Sequence, residues 1–164
     1  MSKTAEPAYQ LLLALRGLIT SDYNTTRNDV NKMVWKDLPR KDITKNSYPR
    51  ISIMDITETG SPVSIGNNTS TENNYIVQID VWMWDKIKDP LFVTVDSVSM
   101  SGTRARDEIA RHVLYLLRRN FYTDTNLGYY DYKVRANRPL SFDEDSGILR
   151  RSIEIEFKEM DTGT

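Results

Sequence analysis

Cysteine is absent from this chain of 164 residues, which excludes disulfides, thiolate metal sites and a cysteine nucleophile. A single histidine, His112, is the one imidazole base available to a Ser or Thr nucleophile. The seven glycines are scattered, and none precedes a lysine in a phosphate-loop pattern. No apolar run approaches the roughly 20 residues of a membrane span, and the N-terminus lacks the basic, apolar and cleavage regions of a secretory signal. The expectation is a chain kept in the cytosol, or in something assembled there, with no membrane partner. The sequons at Asn24 and Asn67 then carry no meaning as glycosylation sites. Neither sign of charge dominates: 22 Lys and Arg against 23 Asp and Glu leave a net charge of −1, so no global field draws the chain to nucleic acid.

What the chain does have is apolar patterning. Its length suits one domain with a real core over residues 1–164. Tyr75-Ile-Val-Gln-Ile-Asp-Val-Trp-Met-Trp-Asp85 reads as a long strand with large side chains on both faces. Tyr75, Val77, Ile79, Val81 and Met83 fall on one side, and Ile76, Gln78, Asp80, Trp82 and Trp84 on the other. The second face carries two indoles beside an Asp, and it asks for a cover, either a helix of the same chain or another subunit.

Two helices are predicted. From Pro7 to Thr20, the residues Ala8, Leu11, Leu12, Leu15, Leu18 and Ile19 recur at helical spacing, with Pro7 suited to a first helical position. From about Ser101–Thr103 to Asn120, the stripe is Ala105, Ile109, Val113, Leu116 and Leu117. Strands are predicted over Arg50–Ile56, Tyr75–Trp84, Tyr129–Ala136 and Ile148–Phe157. Residues 21–47 stay open between a short helix and a covering loop, and residues 87–98 are of uncertain state. A long loop is expected at 58–74, rich in Gly, Ser, Thr and Asn. The order helix, strand, strand, helix, strand, strand implies an α+β fold, a mostly antiparallel sheet from two β-hairpins with two main helices packed on one face.

The search for chemistry is barren. His112 reads as a histidine flanking the buried stripe of the second helix. Asp143-Glu144-Asp145 is the one dense carboxylate cluster; it can in principle hold a hard cation, but consecutive acids in a turn point apart, and a solvated turn is the better reading. Glu154 and Glu156 lie on an alternating polar face, with no cleft to make them a catalytic pair. The expectation is no enzyme, no catalytic residue, no metal and no cofactor. Arg104, Arg111 and Arg118 recur every seven residues along one stripe of the second helix. They read as a solvated face with intrahelical pairs such as Arg104 to Glu108, or as an intersubunit salt-bridge ladder, with a phosphate stripe third.

Tyr48-Pro-Arg-Ile-Ser-Ile53, the polar loop, Tyr75 to Trp82, the helix from Thr103 to Asn120 and the closing Arg150-Arg-Ser-Ile-Glu-Ile-Glu-Phe157 together resemble the tail terminator proteins of long-tailed phages, also called tail completion or tail-to-head joining proteins. The resemblance spans about residues 5–160 and rests on the order and style of segments. It implies a late-assembling virion structural protein, made in the host cytoplasm and placed at the head-proximal end of the tail. There a hexameric ring caps the tail tube, ends tube polymerisation, meets the head connector or neck protein, and leaves a channel through which DNA passes without specific binding. Arg50 and Trp82 match recurrent positions of that pattern; Trp84 and residues 21–47 do not. Subunit-interface candidates are therefore Arg50, Trp82, Trp84, Asp85, Arg104, Arg111 and Arg118. Channel-lining candidates are Asp143, Glu144, Asp145, Glu154 and Glu156, whose charge would repel DNA. Alternatives are another virion neck or tube adaptor, or a small ligand- or nucleic-acid-binding module using Tyr129, Tyr130, Tyr132 and Arg135 as a stacking platform.

Overall fold

The computed structural model describes residues 7–23, 34–35, 49–62, 71–86, 94–95, 98–99, 102–123, 131–141 and 147–161. Its elements run α1 (Pro7–Tyr23), β1 (Val34–Trp35), β2 (Arg50–Pro62), β3 (Thr71–Trp84), β4 (Thr94–Val95), β5 (Val98–Ser99), α2 (Gly102–Thr123), β6 (Asp131–Ser141) and β7 (Ile148–Asp161). Five strands form one sheet in the order β1-β2-β3-β7-β6, while β4 and β5 pair as a separate antiparallel ribbon. All pairings of the main sheet are antiparallel except β1 with β2. The two hairpins join at its centre, where β3 and β7 pair from Thr71↔Asp161 to Trp84↔Ile148. This is the α+β fold expected from the order of segments.

Both helices pack on one face of the sheet. Leu11, Leu12, Leu15 and Ile19 of α1 and Ala105, Ile109, Val113, Leu116 and Leu117 of α2 are buried, as the helical spacing predicts. They meet Ile51 and Ile53 of β2, the odd-numbered residues Tyr75 to Met83 of β3, and Ile153, Ile155 and Phe157 of β7 in one apolar cluster. Period-two alternation puts these strand residues on a single side of the pleat, and each fully buried large side chain contributes about 1.5–3 kcal/mol of transfer free energy.

Several expectations need correction. The long loop at 58–74 is much shorter, because Glu58↔Tyr75 through Pro62↔Thr71 continue the β2–β3 ladder. Polar residues on both faces hide a strand that is held by ladder hydrogen bonds and shows no apolar period. Residues 63–70, which join the two strands, lie outside the described residues. In the second hairpin β6 runs on to Ser141, past the predicted strand end at Ala136. From residues 21–47, Val34 and Trp35 form a parallel edge strand against Ile51 and Ser52.

Candidate functional site

The sheet face turned away from the helices holds the second row of β3. Its lower end is not an apolar surface. Arg50, Ser52, Asp80, Trp82 and Ser152 are all buried there, in register across β2, β3 and β7 (Arg50↔Trp82, Ser52↔Asp80, Asp80↔Ser152). The Trp82 indole N–H donates to Ser52 Oγ at 2.8 Å. Arg150 Nη2 donates to Asp80 Oδ2 at 2.7 Å, and the Arg150 guanidinium carbon sits 4.8 Å from the centre of the Trp82 ring. Gln78 Nε2 approaches both Asp80 oxygens, at 3.2 and 3.0 Å. A fully buried carboxylate therefore has its countercharge and hydrogen bonds, which is what such a group requires. The helices cover the opposite face, so they are not what buries Trp82.

Toward the other end the same face becomes a lattice of cross-strand charge pairs. Glu154 meets Arg138 at 3.5 Å, Glu156 meets Arg135 at 3.7 Å and Glu72 meets Lys158 at 3.5 Å. The two glutamates named as channel-lining candidates are thus balanced by arginines of β6, and the face is mixed in sign. Asp143, Glu144 and Asp145 lie outside the described residues. So do Tyr129 and Tyr130. Of the expected stacking platform, Tyr132 turns to the helix side and stacks on Phe157 at 6.3 Å, while Arg135 pairs with Glu156.

At the lower end of the sheet Trp84 is half-buried and Asp85 exposed, next to exposed Lys86. The Asp85 N–H donates to the Gly147 carbonyl at 3.0 Å, tying the end of β3 to the start of β7. Gly147 has φ 68°, the left-handed region that favours glycine. Arg50 and Trp82, named as interface candidates, are buried within the subunit, so of the candidates at this end of the sheet Trp84 and Asp85 are the accessible ones.

On α2, Arg104, Arg111 and Arg118 are exposed, as a polar stripe should be. Glu108 pairs with Arg111 at 2.8 Å in place of the expected Arg104. Among the described residues Arg104 and Arg118 have no ion pair. Between this stripe and β6 runs an open groove of about 590 Å³, lined by Arg111, Leu114, Tyr115, Arg118, Tyr132, Lys133 and Val134. Tyr115 is 54% and Val134 38% exposed, two of the largest apolar exposures among the described residues. His112 is half-buried beside it, its ring 6.0 Å from that of Tyr115.

A second polar cluster clamps α2 to the sheet. Buried Arg106 holds Asp107 through Nε and Nη2, both at 2.8 Å, and Arg151 of β7 reaches the same carboxylate at 3.0 Å. Arg151 Nε also donates to Asn137 Oδ1 of β6 at 2.7 Å. Burial pushes the Asp107 carboxyl up, and the hydrogen bonds and charges of Arg106 and Arg151 outweigh it, leaving the group below its ordinary value. Sequence reasoning missed both clusters and the groove. Gln78, Asp80 and Trp82 do share one face by spacing, but Arg150 joins them only through the β3–β7 register.

Among the described residues no group of three or more His, Asp or Glu side chains is placed to hold a metal ion. No helix among them is long and apolar enough to cross a membrane. No protein-family model matches the chain, and no curated protein matches it. Among solved structures, a chain from the virion of a native gene transfer agent particle aligns over 90% of this chain and 98% of its own length, at 9% identity and a TM-score of 0.40. A similarity this slight carries no assignment of function.

Proposed function

We propose that this chain is a virion structural protein of the tail terminator type, a subunit of a ring that caps the tail tube, ends its growth and joins tail to head. The observation that supports this reading most is the segment order: a helix and a hairpin, then a second helix and a second hairpin, joined through β3 and β7 into one sheet with both helices on one side. That is the arrangement which the resemblance of the segments implies. A ring subunit must also offer two different, mutually complementary patches. The groove beside α2 and the Trp84–Asp85 end of the sheet are two separate accessible surfaces of contrasting character. The role asks for no catalytic group. Its partners are further copies of the chain, the tube and the connector, with DNA passing through the ring and the mixed-sign face of Glu154 and Glu156 as a candidate lining.

Native mass spectrometry and electron microscopy of the full chain, alone and mixed with tail tubes, test the reading. Six-fold rings, with tubes that stop growing once the protein is added, are expected. A strict monomer that ignores tubes and binds oligonucleotides in a salt-sensitive way would sink it.

A further inference from the structure

The groove between α2 and β6 has an apolar floor and a basic rim. Tyr115, Tyr132 and Val134 supply the floor, and Arg111 and Arg118 supply two cations with no carboxylate among the lining residues, while Lys133 between Tyr132 and Val134 alternates to the other face in register with Glu156. Glu108, on the flank, pairs with Arg111. Such a groove suits a segment with one aromatic anchor followed by acids. The chain contains that segment: Phe142 is followed directly by Asp143, Glu144 and Asp145, its densest run of carboxylates. We propose that this groove receives the Phe142–Asp145 segment of a second copy of the same chain, and that this contact closes the ring. The proposal rests on the ring reading above.

Geometry excludes the same contact within one subunit. Val134 and Ser141 lie on one continuous strand, so they are about 23 Å apart at roughly 3.3 Å per residue. No residue from Phe142 to Asp145 is more than three positions from Ser141 or Gly147, so at ~3.6 Å per residue the segment extends at most about 11 Å from one of them. The acidic segment cannot reach its own groove. A contact between opposite ends of one strand joins copies head to tail, and head-to-tail contacts form rings when the rotation closes. The exposed Asp85 adds to the acidic end, offset by Lys86 beside it.

The mode of docking is through side chains. Among the described residues β6 is an edge of the sheet, yet it carries a register shift between Val134 and Ala136, with Lys133, Arg135, Arg138 and Pro139 along it. Bulges, cations and proline blunt an edge against strand addition. The groove, not the strand's backbone, is then the accessible receptor.

Charge exchange tests the contact. Light scattering on the full chain should give the ring mass for the wild type and the 19.0 kDa mass of one chain for Arg111→Glu/Arg118→Glu and for Asp143→Lys/Glu144→Lys/Asp145→Lys. Arg111 and Arg118 are exposed, and circular dichroism should show both variants folded. An equal mixture of the two should regain the ring, because each reversed segment meets a reversed groove. Because the chain has no cysteine, Val134→Cys/Phe142→Cys gives a second readout with a short bismaleimide: a covalent ladder that ends at six copies. Rings that survive both reversals overturn this contact and leave the ring reading intact. A wild type that stays monomeric alone and on tubes overturns both. Loss of oligonucleotide binding in Arg111→Glu/Arg118→Glu, with assembly untouched, makes the groove a nucleic-acid site and overturns the proposal.

Discussion

Arg150 on β7 donates to the Asp80 carboxylate on β3 at 2.7 Å, a charge pair in which Asp80 has no solvent exposure at all. Taking two charges out of water costs several kcal/mol each, and the pair is held because each side offsets the other's desolvation. Removing one partner leaves the other stranded. Asp80→Ala should therefore destabilise the chain by about 3–5 kcal/mol in urea unfolding. The double replacement Asp80→Leu/Arg150→Met should recover most of that loss. If the single variant unfolds at the wild-type urea concentration, the pair does not have the role assigned to it.

The Trp82 indole and Ser52 form the second buried polar contact of this face, at 2.8 Å. Ser52→Ala deprives a buried N–H of that acceptor and should cost about 1–3 kcal/mol. Trp82→Phe removes the donor instead. Combined, the two should cost clearly less than the sum of the single changes, because the deserted donor is gone. Strict additivity in a double-mutant cycle would argue that the hydrogen bond contributes nothing.

These two contacts mark where sequence reading stopped. The stripes of α1 and α2 and the inward rows of β3 and β7 were all readable, because an apolar face repeats with the period of its element. Trp82 was visible as a large residue on the second face, but the expected cover was a helix or another subunit. The neighbours of Trp82 on that face are polar and come from three strands, and pairing registers are not written in any local period. The same reason explains the expected loop at 58–74: Thr57, Thr59, Gly60 and Ser61 are exposed residues of a paired strand, and exposed polar strands leave no hydrophobic signal. Of the candidate site, the exposed arginine stripe was foreseen, whereas the groove beside it needed the position of β6.

Two glycines should respond in opposite directions to alanine. Gly17 lies in α1, exposed, with nothing within 4 Å of an added Cβ. Gly17→Ala should stabilise by about 0.5–1 kcal/mol, through helix propensity and a less free unfolded chain. Gly147 has φ 68°, and an added Cβ would lie 2.8 Å from Asp85 Oδ1. The exposed Asp85 side chain can turn aside, so the residual cost is the backbone conformation, about 1–2 kcal/mol. Asp85→Ala should accordingly rescue little of the Gly147→Ala loss. Melting temperatures of the three variants check this, and a rescue close to complete would show that the clash, not the backbone, decides.

Asp107 sets how the fold responds to acid. Its carboxylate is held by Arg106 and Arg151 below the ordinary 3.8, so the folded state binds its proton less readily than the unfolded chain does. Stability from this group is fully present above the unfolded value and is lost as pH falls through the lower, folded one. Asp107→Asn removes the charge at every pH and keeps the shape. The variant should therefore be less stable than the wild type at neutral pH, and the gap should narrow below about pH 4 as the wild-type carboxyl is protonated. Since Arg106 is buried and the clamp reaches Arg151 and Asn137, the loss should also appear as faster amide exchange where α2 meets β7. Urea unfolding of both proteins across pH 3–7 measures the gap. A difference that stays constant over that range would mean that the carboxylate charge of Asp107 does not hold α2 to the sheet.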